Sequence, residues 1–200
     1  MELLIATRNA KKLEEIRDLL KGLDITVTSL AQYKDLPEII EDGRTFEQNA
    51  VIKACTIALY TKKLVLGEDS GLEVKALNNR PGIFTARYAG EGATDKKNNQ
   101  KLLRELKGVP LKKRSARYRC AAALADAKGL IGVVSGNCQG LIGLSLKGRF
   151  GFGYDPLFVI KKYNKTFAEL GPLVKHKMSH RYRALKKARV IIEKYLAEKP

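Results

Sequence analysis

The chain has 200 residues, 44% of them hydrophobic and 30% charged, which is the make-up of one soluble globular domain or of one built in two lobes. A chain of this length buries about 70% of the surface its unfolded form exposes, so it folds without staples, and no apolar run approaches the roughly 18 residues of a membrane span. Lysine and arginine number 38 against 21 acidic residues, a net charge of +17 that points to a polyanionic partner.

A lysine-rich surface of the kind found in heat-adapted proteins accounts for the same charge equally well. The cations are spread over the whole length, apart from a local cluster at Lys112, Lys113, Arg114, Arg117 and Arg119. Aromatic residues make up 7% of the chain and tryptophan is absent, which leaves little material for a base-stacking track along a nucleic-acid strand. Cys55, Cys120 and Cys138 are odd in number and form no CxxC pair, as suits a reducing compartment. The opening MELLIATRNAKK has too short an apolar stretch for a secretory signal, so the expected location is the cytoplasm.

In chain order, Leu3 to Ala6 reads as a buried strand. A polar turn follows, then an amphipathic helix with Leu13, Ile16, Leu19 and Leu20 at helical spacing and Gly22 as its stop. DITVTSL is a second short strand, and TSLAQYKDLPEIIEDGR an irregular stretch. Thr45 caps a helix running to about Lys62, with Glu47 and Gln48 in its first turn. LVLGEDSG reads as a buried strand that ends abruptly in its charged and small residues. The span EVKALNNRPGIFTARYAGEGA offers strand-like pieces broken at Asn78-Asn79 and Pro81-Gly82. A helix from Thr94 or Asp95 to Lys107 follows, then a hairpin turning near Lys128-Gly129. A glycine-dense segment leads to a strand at Leu157 to Ile160. The last helix, Ser179 to about Glu198, places Ala184, Leu185, Ala188, Ile191, Ile192 and Tyr195 on one face. The pattern is that of an α/β chain with a mixed sheet, one compact domain over 1–200.

Four segments can carry chemistry. In ATRNAKK a strand ends at Thr7, Arg8 and Asn9 and opens a helix, with Lys11 and Lys12 in the first turn. Cations there oppose the helix dipole, so either an anionic ligand uses them or they are solvated beside an ordinary cap. At Glu68-Asp69-Ser70-Gly71 adjacent carboxylates of an extended chain face opposite ways. One of them, with Glu41 or Asp42, can hold Mg²⁺ through oxygen ligands that leave room for phosphates, or both are simply capping and solvated groups. Gly151-Phe152-Gly153-Tyr154-Asp155-Pro156 either opens an aromatic face and a carboxylate to a planar ligand or makes a tight turn before a strand. In Lys175 to Arg183, His176 and His180 lie four apart, but the four Lys and Arg residues in the run disfavour a metal. Ser179 can cap the last helix and bring His180 and Arg181 to its start, beside carbonyl or phosphate oxygens.

Taken together and in this order, the segments resemble the Ham1-type inosine and xanthosine triphosphate pyrophosphatases. The matching stretches are Thr7, Asn9 and Lys12; Glu41, Gly43, Thr45, Phe46, Asn49, Ala50, Lys53 and Ala54; Asp69 to Leu72; Pro81 to Gly90; Gly151 to Phe158; and Lys175 with Ser179 to Arg181. They span nearly the whole chain. Arg8 stands where a glycine is common in this turn, and Glu68 where Asp or Ala is frequent. The resemblance implies an elongated mixed β-sheet with flanking helices, in two lobes around a central nucleotide-binding cleft, and a homodimer. It implies Mg²⁺-dependent hydrolysis of ITP, dITP and XTP to the monophosphate and pyrophosphate. Carried over, Asp69 looks like the general base and a metal ligand, with Glu41 a second ligand. Thr7, Arg8, Asn9, Ala10, Lys11, Lys12, Lys53 and Ser70 would line the phosphates. Phe152, with Gly153 and Tyr154 beside it, would offer the stacking face, and Asp155, Lys175, His180 and Arg181 would read the base edge.

Two rivals differ in what they predict. A Maf-like pyrophosphatase would have another base preference, and Phe152 with His180-Arg181 favours the Ham1-type pattern. A basic nucleic-acid-binding protein would lose affinity steeply with salt and tolerate Asp69→Asn. The expected partner is a nucleoside triphosphate, with no membrane and no stable nucleic-acid partner.

Overall fold

A computed structural model describes residues 1–33 and 35–198. Lys34, inside the irregular stretch, and the last two positions of the chain lie outside the described residues. The described chain holds seven strands and five α-helices, alternating as far as the fourth strand. They are β1 (Glu2–Ile5), α1 (Ala10–Leu20), β2 (Thr26–Ser29), α2 (Phe46–Thr61), β3 (Leu64–Val74), α3 (Asp95–Glu105), β4 (Ser115–Asp126), β5 (Gly129–Ile142), β6 (Phe158–Ile160), β7 (Lys165–Thr166), α4 (Phe167–Met178) and α5 (His180–Ala197). One sheet has the order β2-β1-β3-β4-β5-β6-β7. It is mixed: β1 runs parallel to β2 and β3, whereas β6 is antiparallel to β5 and β7. The fold is α/β.

The chain divides into two compact units. The first comprises residues 1–69, 120–136 and 180–200, and the second residues 70–119 and 137–179, so β3, β4 and β5 run through both. Each has its own core. In the first, Leu3, Ile5, Leu66 and Leu124 of the strands pack with Ile16 and Leu20 of α1 and with Leu185, Ala188 and Ile192 of α5. In the second, Leu72, Tyr118, Ile142 and Phe158 pack with Leu102 of α3 and Phe167 of α4. Each fully buried Leu, Ile or Phe side chain contributes about 1.5–3 kcal/mol.

Local chemistry sets the helix starts. Asn9, Thr45 and Thr94 cap α1, α2 and α3 by accepting from the backbone N–H of Lys12, Gln48 and Lys97, each cap contributing about 1 kcal/mol. Thr166 and Glu169 form a reciprocal capping box on α4, which kinks at Gly171-Pro172. The turn between β4 and β5 falls at Ala127-Lys128, as the sequence leads one to expect.

Three expectations need correction. β3 does not end at Glu68-Asp69 but continues to Val74, because every charge it carries into the interior meets an opposite one there. Residues 75–77 and 82–87 are 3-10 turns rather than strand pieces. The Lys175–Arg183 run belongs to two helices, with Ser179 ending α4 and His180 opening α5. The basic cluster is partly internal as well. Arg114 is 5% exposed and donates to the carbonyls of Leu106, Val109 and Gly143, while Arg117 and Arg119 pair with Glu73.

One close approach fixes the geometry of the first unit. A Cβ on Gly67 of β3 would lie 2.2 Å from the carbonyl oxygen of Ala50 on α2, so the strand packs against that helix only because position 67 has no side chain.

Candidate active site

Two carboxylates of β3 face opposite ways, and each gathers its own cations. Glu68 is 2% exposed. It accepts from Lys12 Nζ at 2.8 Å and from Arg181 Nη2 at 3.0 Å, and the Cys120 thiol donates to it at 3.2 Å. Arg181 Nη1 also pairs with Glu15 of α1. Four charges from two helices and one strand thus balance as two carboxylates against two cations, the condition under which buried ions are tolerated. Burial and the Glu68 carboxylate push the Cys120 thiol far above its ordinary range. For Arg181, burial works against the charge, but Glu68 and Glu15 outweigh it and hold the guanidinium ionised. Lys12 is the member of this group with most exposure, 18% of its side chain.

On the other face, Asp69 accepts from Lys53 Nζ at 3.0 Å and from Asn49 Nδ2 at 3.2 Å. Asn49 and Lys53 lie four apart on α2 and so share a face. Asn49 Oδ1 accepts the Gly43 N–H at 2.9 Å, which fixes the amide with its N–H₂ toward Asp69. Lys53 Nζ also meets Glu41 Oε2 at 2.7 Å and the Glu68 carbonyl at 3.3 Å. Burial raises the Asp69 carboxyl above its ordinary value, more than Lys53 and Lys12 lower it. Burial pulls the Lys53 ammonium down, but Asp69 and Glu41 together carry it above its ordinary value. The result is a fixed carboxylate with heightened proton affinity among cations, as a general base requires.

The turn before α1 supplies further donors. Thr7 Oγ1 accepts the Asn9 N–H at 3.1 Å and Asn9 Oδ1 accepts the Lys12 N–H at 3.1 Å, which holds the loop taut. Thr7 is half-buried, whereas Arg8, Asn9, Ala10 and Lys11 are exposed at the positive end of the α1 dipole. Glu68 accounts for Lys12 in that first turn as well as an anion would. Ser70 follows Asp69 on β3, half-buried.

The second unit builds a different arrangement. Gly151 has φ 79°, and a Cβ there would lie 2.1 Å from Asp155 Oδ2, so the loop folds tightly over that carboxylate. Asp155, 1% exposed, accepts the Phe152 N–H at 2.9 Å and pairs with Lys175 Nζ at 2.7 Å. Lys175 Nζ also stands 4.3 Å from the centroid of the half-buried Phe152 ring. Tyr118, whose phenol is pushed up first by burial and then by Asp155, donates to Asp155 Oδ1 at 3.5 Å. The buried Tyr154 donates to the Thr85 carbonyl at 2.9 Å. Gly153 is held by Asp95 and Asn99 of α3.

Of the residues expected from sequence, Glu41 and Asp69 therefore each meet Lys53, and Phe152, Asp155 and Lys175 meet one another. His180, 4% exposed, and Arg181, 1% exposed, belong to the first unit, and Arg181 is engaged by Glu15 and Glu68. Sequence reasoning gave no role to Asn49, Glu15, Tyr118, Asp95 or Asn99. Only Asn49 had a signal, its place four residues before Lys53.

The first unit thus holds a carboxylate flanked by cations, and the second an aromatic face backed by a buried ion pair. The chain belongs to the Ham1 family, whose model matches residues 3–191. It is 47% identical to a dITP/XTP pyrophosphatase of Desulforamulus reducens, over 97% of this chain and 96% of that one. It is 43% identical to the dITP/XTP pyrophosphatase of Bacillus subtilis, over 96% and 97%. Among solved structures, a HAM1 protein from Coxiella burnetii superposes with a TM-score of 0.88 at 37% identity, covering 97% of this chain and 99% of that one. The Ham1 protein of Staphylococcus aureus gives 0.87 at 35% identity, covering 98% and 100%.

Proposed function

We propose that this protein is a nucleoside triphosphate pyrophosphatase that hydrolyses the deaminated purine nucleotides ITP, dITP and XTP to the monophosphate and pyrophosphate. The observation that carries the reading is Asp69, raised by burial and held between Lys53 and Asn49. In its ionised form Asp69 takes a proton from water as the water oxygen bonds the α-phosphorus. The bond from the α-phosphorus to the bridging oxygen breaks, and the electron pair leaves with pyrophosphate. Lys12 and Lys53, with the donors of Thr7 to Lys11 and Ser70, neutralise the charge that grows on the departing group. Phe152 supplies a stacking face for the purine. Lys175 beside Asp155 brings a donor to the 6-oxo group of hypoxanthine or xanthine, where adenine carries an amine.

A divalent metal fits the donor set. Among the described residues no group of three or more His, Cys, Asp or Glu is arranged to hold an ion. Glu41 and Asp69, however, share a single ammonium, which leaves one negative charge for a hard cation that takes its remaining ligands from phosphate and water. When bound, Mg²⁺ would supply Lewis-acid polarisation of the phosphate oxygens. Family membership and the three free cysteines support a cytoplasmic homodimer.

The test is pyrophosphate release from ITP, dITP, XTP, GTP and ATP with Mg²⁺, and again with excess EDTA. Rapid release from the first three, little from GTP and ATP, and none under EDTA is the expected result. Release from none of the five by a folded protein overturns the reading.

A further inference from the structure

The loop that presents Phe152 is gripped from outside by one face of α3. Asp95 and Asn99 lie four residues apart on that helix, so their side chains leave it on the same side. Asp95 Oδ2 accepts the Gly153 N–H at 2.8 Å, and Asn99 Nδ2 donates to the Gly153 carbonyl at 2.8 Å. Both backbone polar groups of the residue after Phe152 are therefore held by the first turns of one helix. Asn99 is 3% exposed, and its Nδ2 also donates to the Asp95 carbonyl at 2.8 Å. The two N–H bonds thus point at two carbonyls and fix which way the amide faces, since the reversed amide would set oxygen against oxygen. On the near side, the Phe152 N–H is tied to Asp155. Phe152 stands with its own N–H and the peptide beyond it both secured, and little but its side-chain torsions left to set the ring.

The Asp95 half of this bracing has little to do with the stability of the fold. Asp95 is exposed, and so is its bond to Gly153. Single polar contacts at such positions contribute little to folding. Gly153 itself has φ 62°, and a Cβ there would touch nothing, so the residue serves the shape of the loop rather than a tight fit. A carboxylate and a buried amide spent on one loop peptide bring a gain in orientation.

We infer that Asp95 and Asn99 are positioning residues for base recognition, which fix the attitude of the Phe152 ring by holding Gly153 at its N–H and its C=O. The inference rests on the reading of Phe152 as the purine platform. It adds to that reading a source of precision on α3 that makes no claim to touch the nucleotide.

The experiment compares Asp95→Ala, Asp95→Asn and Phe152→Ala in steady-state hydrolysis of dITP. Inorganic tripolyphosphate, which has no base, serves as a competitive inhibitor reporting on the phosphate site alone. Loss of a hydrogen bond to a charged group should raise KM for dITP about tenfold in Asp95→Ala, with kcat kept within about twofold because the base is held alike before and during the reaction. The inhibition constant of tripolyphosphate should not move. Asp95→Asn, whose amide oxygen still accepts from Gly153, should restore the parent KM, and Phe152→Ala should raise KM at least as far as Asp95→Ala. The inference is overturned if Phe152→Ala raises KM while Asp95→Ala does not, or if tripolyphosphate binding weakens in step with KM. If Phe152→Ala leaves KM unchanged, the platform reading falls first and takes the inference with it.

Discussion

The two units handle buried charge in opposite ways. Around Asp69 and Glu68, seven ionised side chains are linked in two networks, Glu15–Arg181–Glu68–Lys12 and Glu41–Lys53–Asp69. Arg181 and Glu68 each answer two partners in the first network, and Lys53 does so in the second. Around Phe152 there is one tight pair, Asp155 with Lys175, backed by packed rings, with Tyr118 and Phe158 centred 4.5 Å apart and Phe158 and Phe167 5.4 Å apart. Proton transfer and phosphate charge need groups whose ionisation can be tuned. Recognition of a flat neutral base needs a surface that does not move. Under the proposed function, the first unit carries the chemistry and the second the selectivity.

The largest effect should come from Asp69→Asn. Removal of the base should lower kcat by about 10³-fold, within the range for general-base catalysis, while the melting temperature does not fall. Turnover that survives the change would take the chemistry out of the first unit. A smaller effect is expected of the double change Asp155→Asn with Lys175→Met, which removes both charges and leaves no unpaired ion in the interior. It should reduce the preference for dITP over dATP by about tenfold, the scale of one charged hydrogen bond, with kcat on dITP nearly kept. A collapse of kcat instead would erase the division of labour. The smallest effect lies in the pH profile. Because burial raises the Asp69 carboxyl, the acid limb of kcat/KM should sit above the ordinary carboxylate range, and Lys53→Met should move it higher still. The sign carries over to stability. A carboxyl raised in the folded state lends its stability below the unfolded pKa and loses it as pH rises through the folded one, so Asp69→Asn should gain on the parent across that acid window in melting experiments.

Much of the fold follows from neighbours in sequence. Asn9, Thr45 and Thr94 announce their helices because a cap needs only residues three positions away. The burial stripe of α5 is readable because its period is local. The end of β3 was not readable in this way. Glu68-Asp69 looks like a strand terminus until one knows that Lys12 stands 56 positions before Glu68 and Arg181 113 after it. Arg181 is instructive for the same reason. Its motif pointed toward a base edge, and no local pattern reveals that Glu15 and Glu68 hold it. Asp95 and Asn99 look like ordinary helix-start residues, and only the folded loop shows what they grip.

Gly67 has a consequence for how such a protein can change over time. The strand it belongs to carries Asp69, and the helix it rests on carries Asn49 and Lys53, so the thickness of one hydrogen atom sets the 3.0 Å reach of the ammonium to the carboxylate. Exposed lysines can drift without altering that reach. A methyl group at position 67 would wedge strand from helix and detune proton transfer from a place no substrate visits. Under the proposed mechanism, the catalytic rate is thus hostage to a residue that has no functional group at all.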